Sequence, residues 1–131
     1  LYSSAASDVY KRQGYGYEDL VFAQELEIAG YEITHIDNPT RHNKIENVEA
    51  FLSKTTEGIN NLHQLYTTGR LKTTRLIKAY EMLKKYKLLG ITSKHLRKKY
   101  PSYESNLRSA EPSIRQFNLW KLYQFIQLMK N

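Results

Sequence analysis

An apolar repeat of threes and fours, sustained from Ile45 to the end of the chain, confines most of this sequence to helices. Val48, Phe51, Leu52, Thr55, Ile59, Leu62 and Tyr66 recur at that spacing, which a helix of about 3.6 residues per turn gathers onto one face. A long amphipathic helix is predicted, starting near Glu46 or Asn47 with Gly69 beyond its end. A second is predicted from Leu71 to Leu89, with Leu76, Ile77, Tyr80 and Leu83 inward, Lys72, Arg75, Lys78, Lys84 and Lys85 largely outward, and Gly90 closing it. The short link between them favours an antiparallel pair. Ser93 is expected to cap a brief basic helix ending at Tyr100-Pro101. Pro112 is expected to start a last helix in which Ile114, Phe117, Trp120, Tyr123, Phe125 and Ile126 leave few polar sides.

The 131 residues suit one domain or a piece of one, and 40% hydrophobic with 25% charged is ordinary globular composition. The absence of cysteine excludes a disulfide framework, a thiolate zinc site and a cysteine nucleophile. Apolar runs are too short to span a membrane. The net charge of +7 conceals a division: residues 1–66 hold five Lys/Arg against ten Asp/Glu, and residues 67–131 fifteen against three. An acidic first half suits metals, cations or proton transfer, whereas a basic second half attracts phosphates or anionic lipid.

Residues 1–13, LYSSAASDVYKRQ, have neither hydrophobic periodicity nor a helix cap, and resemble a translated sequencing-adapter read-through. The other reading is a natural disordered tail; as a non-native prefix they leave the native chain expected to begin near Gly14, already inside a domain. Two glycines alternating with tyrosines at 14–17 suit an irregular, tight backbone that displays aromatic rings. A helix follows, with Glu18 and Asp19 in its first turn, Phe22, Leu26 and Ala29 along one face, and Gly30 as its stop. Tyr31–Ile36 reads as a short strand, Ile33 and His35 on one side, before Asp37-Asn38-Pro39 turns the chain. Paired carboxylates at a helix start usually serve the helix dipole. Glycine and exposed rings beside them are also what a saccharide site needs, because sugar CH faces stack on rings while hydroxyls bond to acids.

Gly14-Tyr15-Gly16-Tyr17-Glu18-Asp19, Phe22, Ala29-Gly30-Tyr31 and His35-Ile36-Asp37-Asn38-Pro39 followed by His42 resemble the C-terminal half of the catalytic domain of family-2 glycosyltransferases, inverting enzymes of the GT-A type, particularly bacterial members. The resemblance implies a mainly α fold with a small α/β remnant at 14–45, the C-terminal part of a GT-A catalytic domain, followed by a helical extension at 46–131. It implies transfer of a sugar from a nucleotide-sugar donor to a glycan or lipid-linked acceptor, as in polysaccharide biosynthesis. Asp19 would be the general base that takes the acceptor hydroxyl's proton, and Glu18 would orient the acceptor. Tyr15, Gly16 and Tyr17 would bind it. His42 would be a ligand to the divalent metal, Mn2+ or Mg2+, that neutralises the leaving diphosphate; the other reading of a lone loop histidine is a surface hydrogen-bonding residue. His35 reads as a packed strand residue, and His63 and His95 receive no chemistry.

The family's nucleotide-binding half and its Asp-X-Asp motif are not in this sequence, whose only aspartates are Asp8, Asp19 and Asp37. The expectation is therefore a truncated enzyme, cytoplasmic and peripheral to the inner membrane, inactive alone. The basic tail, densest at Lys94, Arg97, Lys98 and Lys99, admits a solvated face, docking to an anionic membrane surface, or nucleic-acid binding. A basic helical binding module is the rival to the enzyme.

Overall fold

The structure, a computed structural model, describes residues 16–32, 34, 36–39 and 46–130. Five helices follow one another in them: α1 (Glu18–Ile28), α2 (Val48–Thr67), α3 (Arg75–Lys85), α4 (Leu89–Leu107) and α5 (Ile114–Leu128). The mainly helical expectation is met, and the small α/β remnant is not. Among the described residues there is no strand, and Tyr31, Glu32, Thr34 and Ile36 form no ladder. A strand needs an edge to pair with. No second extended segment offers one among the described residues, and Tyr31 and Ile36 stand 66% and 77% exposed.

Contacts divide the chain into two units, residues 1–62 and 63–131. In the first, α1 buries Val21 and leaves Phe22 exposed, so its inward side is one residue away from the predicted stripe. The helix ends as predicted. Gly30, at φ +82°, donates its N–H to the Glu27 carbonyl, and Tyr31 donates to Leu26 at 3.0 Å, a closing turn that satisfies two of the last carbonyls. Along α2, Leu52 and Ile59 are buried at the predicted spacing.

The second unit is built on α3, α4 and α5, with α5 packed on both others. Ile77 and Tyr80 from α3, Leu96, Tyr103 and Leu107 from α4, and Trp120, Phe125 and Ile126 from α5 are among its buried residues. Burying each large apolar side chain contributes about 1.5–3 kcal/mol. Tyr80 meets the fully buried Phe125 edge-on, with centroids 5.5 Å apart, and Tyr66 closes the cluster at 6.2 Å from Phe125. Tyr100 lies against Trp120 and Tyr123. The buried Ser93 hydroxyl accepts from Gln127 Nε2 at 3.0 Å and Lys130 Nζ at 2.7 Å, tying the end of α5 to α4.

Helix limits in this unit depart from the sequence reading for identifiable reasons. Thr74 caps α3, its hydroxyl accepting the Ile77 N–H at 3.1 Å, so the helix starts later than Leu71. It stops at Lys85 because Lys87, at φ +57°, takes the left-handed position: its N–H reaches the Lys84 carbonyl and that of Leu88 reaches Leu83 at 2.8 Å. Gly90 is consequently inside α4 and not a stop, and Ser93 is a buried helical residue and not a cap. Pro101 does not end α4, which runs on to Leu107. Proline removes the bond to the Arg97 carbonyl, but both residues are on the exposed side, where water can take that carbonyl. Ser113 caps α5 one residue after Pro112. No helix among the described residues is long and apolar enough to cross a membrane.

Candidate functional site

Gly16, Tyr17, Glu18 and Asp19 lie at the start of α1, and the backbone there is unusual. Gly16 has φ +89° and Tyr17 φ +70°, so two consecutive residues take the left-handed conformation before Glu18 begins the helix. Only glycine adopts it freely; Tyr17 stores about 1 kcal/mol of strain. Gly16 sits against α2: a Cβ added there would meet the Gly58 Cα at 3.2 Å, and the buried Asn61 donates its Nδ2 proton to the Gly16 carbonyl. Gly16 is therefore the point where loop backbone meets helix backbone. That contact sets where α1 begins.

From that anchor the two carboxylates part. Neighbouring residues on a helix point about 100° apart, so Glu18 and Asp19 do not share a face. Asp19 is exposed, and one carboxylate oxygen accepts the Leu20 backbone N–H at 2.9 Å. Among the described residues no lysine or arginine pairs with it. Glu18 is half-buried, and its Oε2 is enclosed without a hydrogen-bond partner among the described residues. An enclosed, unpartnered carboxylate oxygen is costly. Tyr17 is half-buried as well, and burial raises its phenol above the ordinary range, keeping it protonated and able to donate at neutral pH.

Glu18, Asp19, Gly16 and Tyr17 are thus together at one helix start. Tyr15 and His42 lie outside the described residues, as does His35. No group of three His, Asp or Glu side chains able to hold a metal ion occurs among the described residues. Sequence reasoning missed Gly58 and Asn61. The available signal was their position: a glycine and an amide three apart on the stripe that carries Leu52, Ile59 and Leu62 mark a face that receives backbone rather than side chains.

A second set of groups is cationic. Lys94, Arg97 and Lys98 recur at three-four spacing on α4 and are all exposed, as is Lys99. None of the four pairs with a carboxylate among the described residues. Compared with known proteins, the chain matches no family model, no curated protein and no solved structure.

Proposed function

We propose that this chain is part of an inverting family-2 glycosyltransferase in which Asp19 is the general base. The supporting observation is the asymmetry of the acidic pair: Asp19 is open to solvent and has no cationic partner among the described residues, while Glu18 is half-buried with one oxygen unpartnered among them. An acceptor sugar lying over the start of α1 presents one hydroxyl to Asp19, and in the same proposal Glu18 orients it. Asp19 removes the hydroxyl proton as the oxygen attacks the anomeric carbon of the nucleotide-sugar donor, and the nucleoside diphosphate leaves. Tyr17, kept protonated, donates to the acceptor. The Mn2+ or Mg2+ of the intact enzyme is part of the same proposal, as is a cytoplasmic position at the inner membrane; the metal's ligands would come from outside the described residues, and no step above passes through it.

The test starts with the 131-residue chain titrated with a panel of common monosaccharides and their methyl glycosides, followed by amide chemical shifts. Shifts concentrated at residues 16–22 and lost in Asp19→Ala support the acceptor role; a panel that moves no residue of that segment contradicts it.

A second reading rests on the unpaired cations of α4. It makes the basic half a module for anionic membrane or nucleic acid. Filter binding to nucleic acid and sedimentation with anionic vesicles, each across a salt series, test it: steep salt dependence that disappears in Lys94→Gln/Arg97→Gln/Lys98→Gln supports it, and retention at raised salt contradicts it.

A further inference from the structure

Within the second unit, α3 and α5 do not close fully on each other. A groove of about 650 Å³ lies between them, within the range of about 300–1,000 Å³ typical of small-molecule pockets. Its apolar lining comes from the half-buried Leu76, Leu119 and Leu122 and the exposed Ile114, with Ala79 the small residue among them. Its polar lining is cationic: Arg75, Arg115 and Lys121, with the amide of Asn118 and no carboxylate.

The two arginines occupy a position that the helices themselves do not favour. Arg75 is the first residue of α3 and Arg115 the second of α5, and neither helix has an acidic residue in its first turn. The positive end of a helix dipole prefers carboxylates there, so each arginine adds charge of the same sign. Neither guanidinium is paired with a carboxylate among the described residues. Lys121 adds a third charge at the groove, its stem lining the wall and its ammonium 4.4 Å from the centre of the Phe117 ring. Burial lowers the Lys121 pKa, the sign of an ammonium with part of its water removed. An apolar channel bordered by unneutralised cations is complementary to one kind of ligand, a molecule with an anionic head and an apolar chain.

We propose that this groove binds a single-chain alkyl phosphate, its phosphate held by Arg75 and Arg115 and its chain laid along Leu76, Leu119 and Leu122. Two forked guanidiniums match a phosphate monoester, whose two charges and three terminal oxygens can engage both, better than a carboxylate, which one arginine satisfies. The site is independent of Asp19 and of sugar transfer, since it uses only residues of α3 and α5.

Calorimetric titration of the full chain with decyl phosphate, below its micelle concentration, tests the site against inorganic phosphate and decyl maltoside. The alkyl phosphate is expected to bind at least tenfold more tightly than either. Arg75→Gln/Arg115→Gln, both exposed positions, is expected to weaken it tenfold or more with an unchanged helical circular dichroism spectrum. Ala79→Phe, which fills the groove and keeps its cations, is expected to do the same. Equal affinity for inorganic phosphate would show the apolar wall unused, equal affinity for decyl maltoside would show the cations unused, and either result overturns the proposal, as does unchanged binding in folded forms of both variants.

Discussion

Replacing Gly16 by alanine probes the junction that positions the acidic pair. Two costs combine. The left-handed backbone at φ +89° is unfavourable for any residue with a Cβ by about 1–2 kcal/mol. The new methyl also meets the Gly58 Cα at 3.2 Å, a backbone atom that cannot rotate away. Relieving that contact requires the loop to lift from α2, which weakens the Asn61 bond to the Gly16 carbonyl and adds about 1–2 kcal/mol. The total is about 2–4 kcal/mol, concentrated on α1. Gly30→Ala is the matched control: its φ is +82° but nothing lies within 4 Å of the added Cβ, so it carries the backbone cost alone, about 1–2 kcal/mol. Hydrogen exchange of the α1 amides reads the difference directly, with thermal unfolding alongside. Gly16→Ala is expected to speed α1 exchange about tenfold beyond Gly30→Ala. Equal effects of the two substitutions would refute the close-approach reasoning and reduce Gly16 to an ordinary turn residue.

Other substitutions have defined outcomes. Lys87→Gly removes left-handed strain at φ +57° and is expected to stabilise the second unit by about 1 kcal/mol, seen as a higher urea midpoint; a lower midpoint would contradict the closing turn. Pro101→Ala restores a helical N–H within α4 and is expected to stabilise by about 1–3 kcal/mol in the same assay. The hydrogen bond to Glu81, with burial and the Glu81 charge adding, raises the Tyr66 phenol from 10.0 to about 12. The folded state thus favours the protonated phenol, so the stabilisation is complete below pH 10 and disappears as pH rises towards 12. Tyr66→Phe should cost about 1 kcal/mol at pH 8, given that Glu81 is partly exposed, and should flatten the alkaline loss of stability; an unchanged profile would exclude Tyr66 as its source.

What could be read from the residues was the periodic part. The stripe Leu52, Ile59, Leu62 and the inward pair Ile77 and Tyr80 follow from spacing alone, because burial of one helix face is a local property of the sequence. Endings were less legible. Gly90 looks like a stop and Pro101 like a breaker, yet Lys87 takes the left-handed position first and the carbonyl that Pro101 orphans belongs to an exposed residue, Arg97. Such outcomes depend on which residue is solvent-facing, a tertiary property. The predicted strand at 31–36 failed for a related reason: alternation describes what a strand would look like and cannot supply its partner. At the acidic pair, the sequence indicated the helix start and the two carboxylates, but not that one would be half-buried and the other open, since that is decided by the contact of Gly16 with α2, forty-two positions away at Gly58.

The central proposal is that Asp19 takes a proton from a sugar hydroxyl, and turnover tests it most directly. Assaying transfer from a nucleotide sugar by the proposed glycosyltransferase that carries this segment, with Asp19→Asn beside the parent, gives the comparison. A carboxylate base contributes about 10²–10⁴-fold, so the variant is expected to lose at least about a hundredfold in kcat while its KM for the donor and its thermal midpoint stay unchanged. Transfer within a few-fold of the parent by a folded Asp19→Asn enzyme would contradict the account.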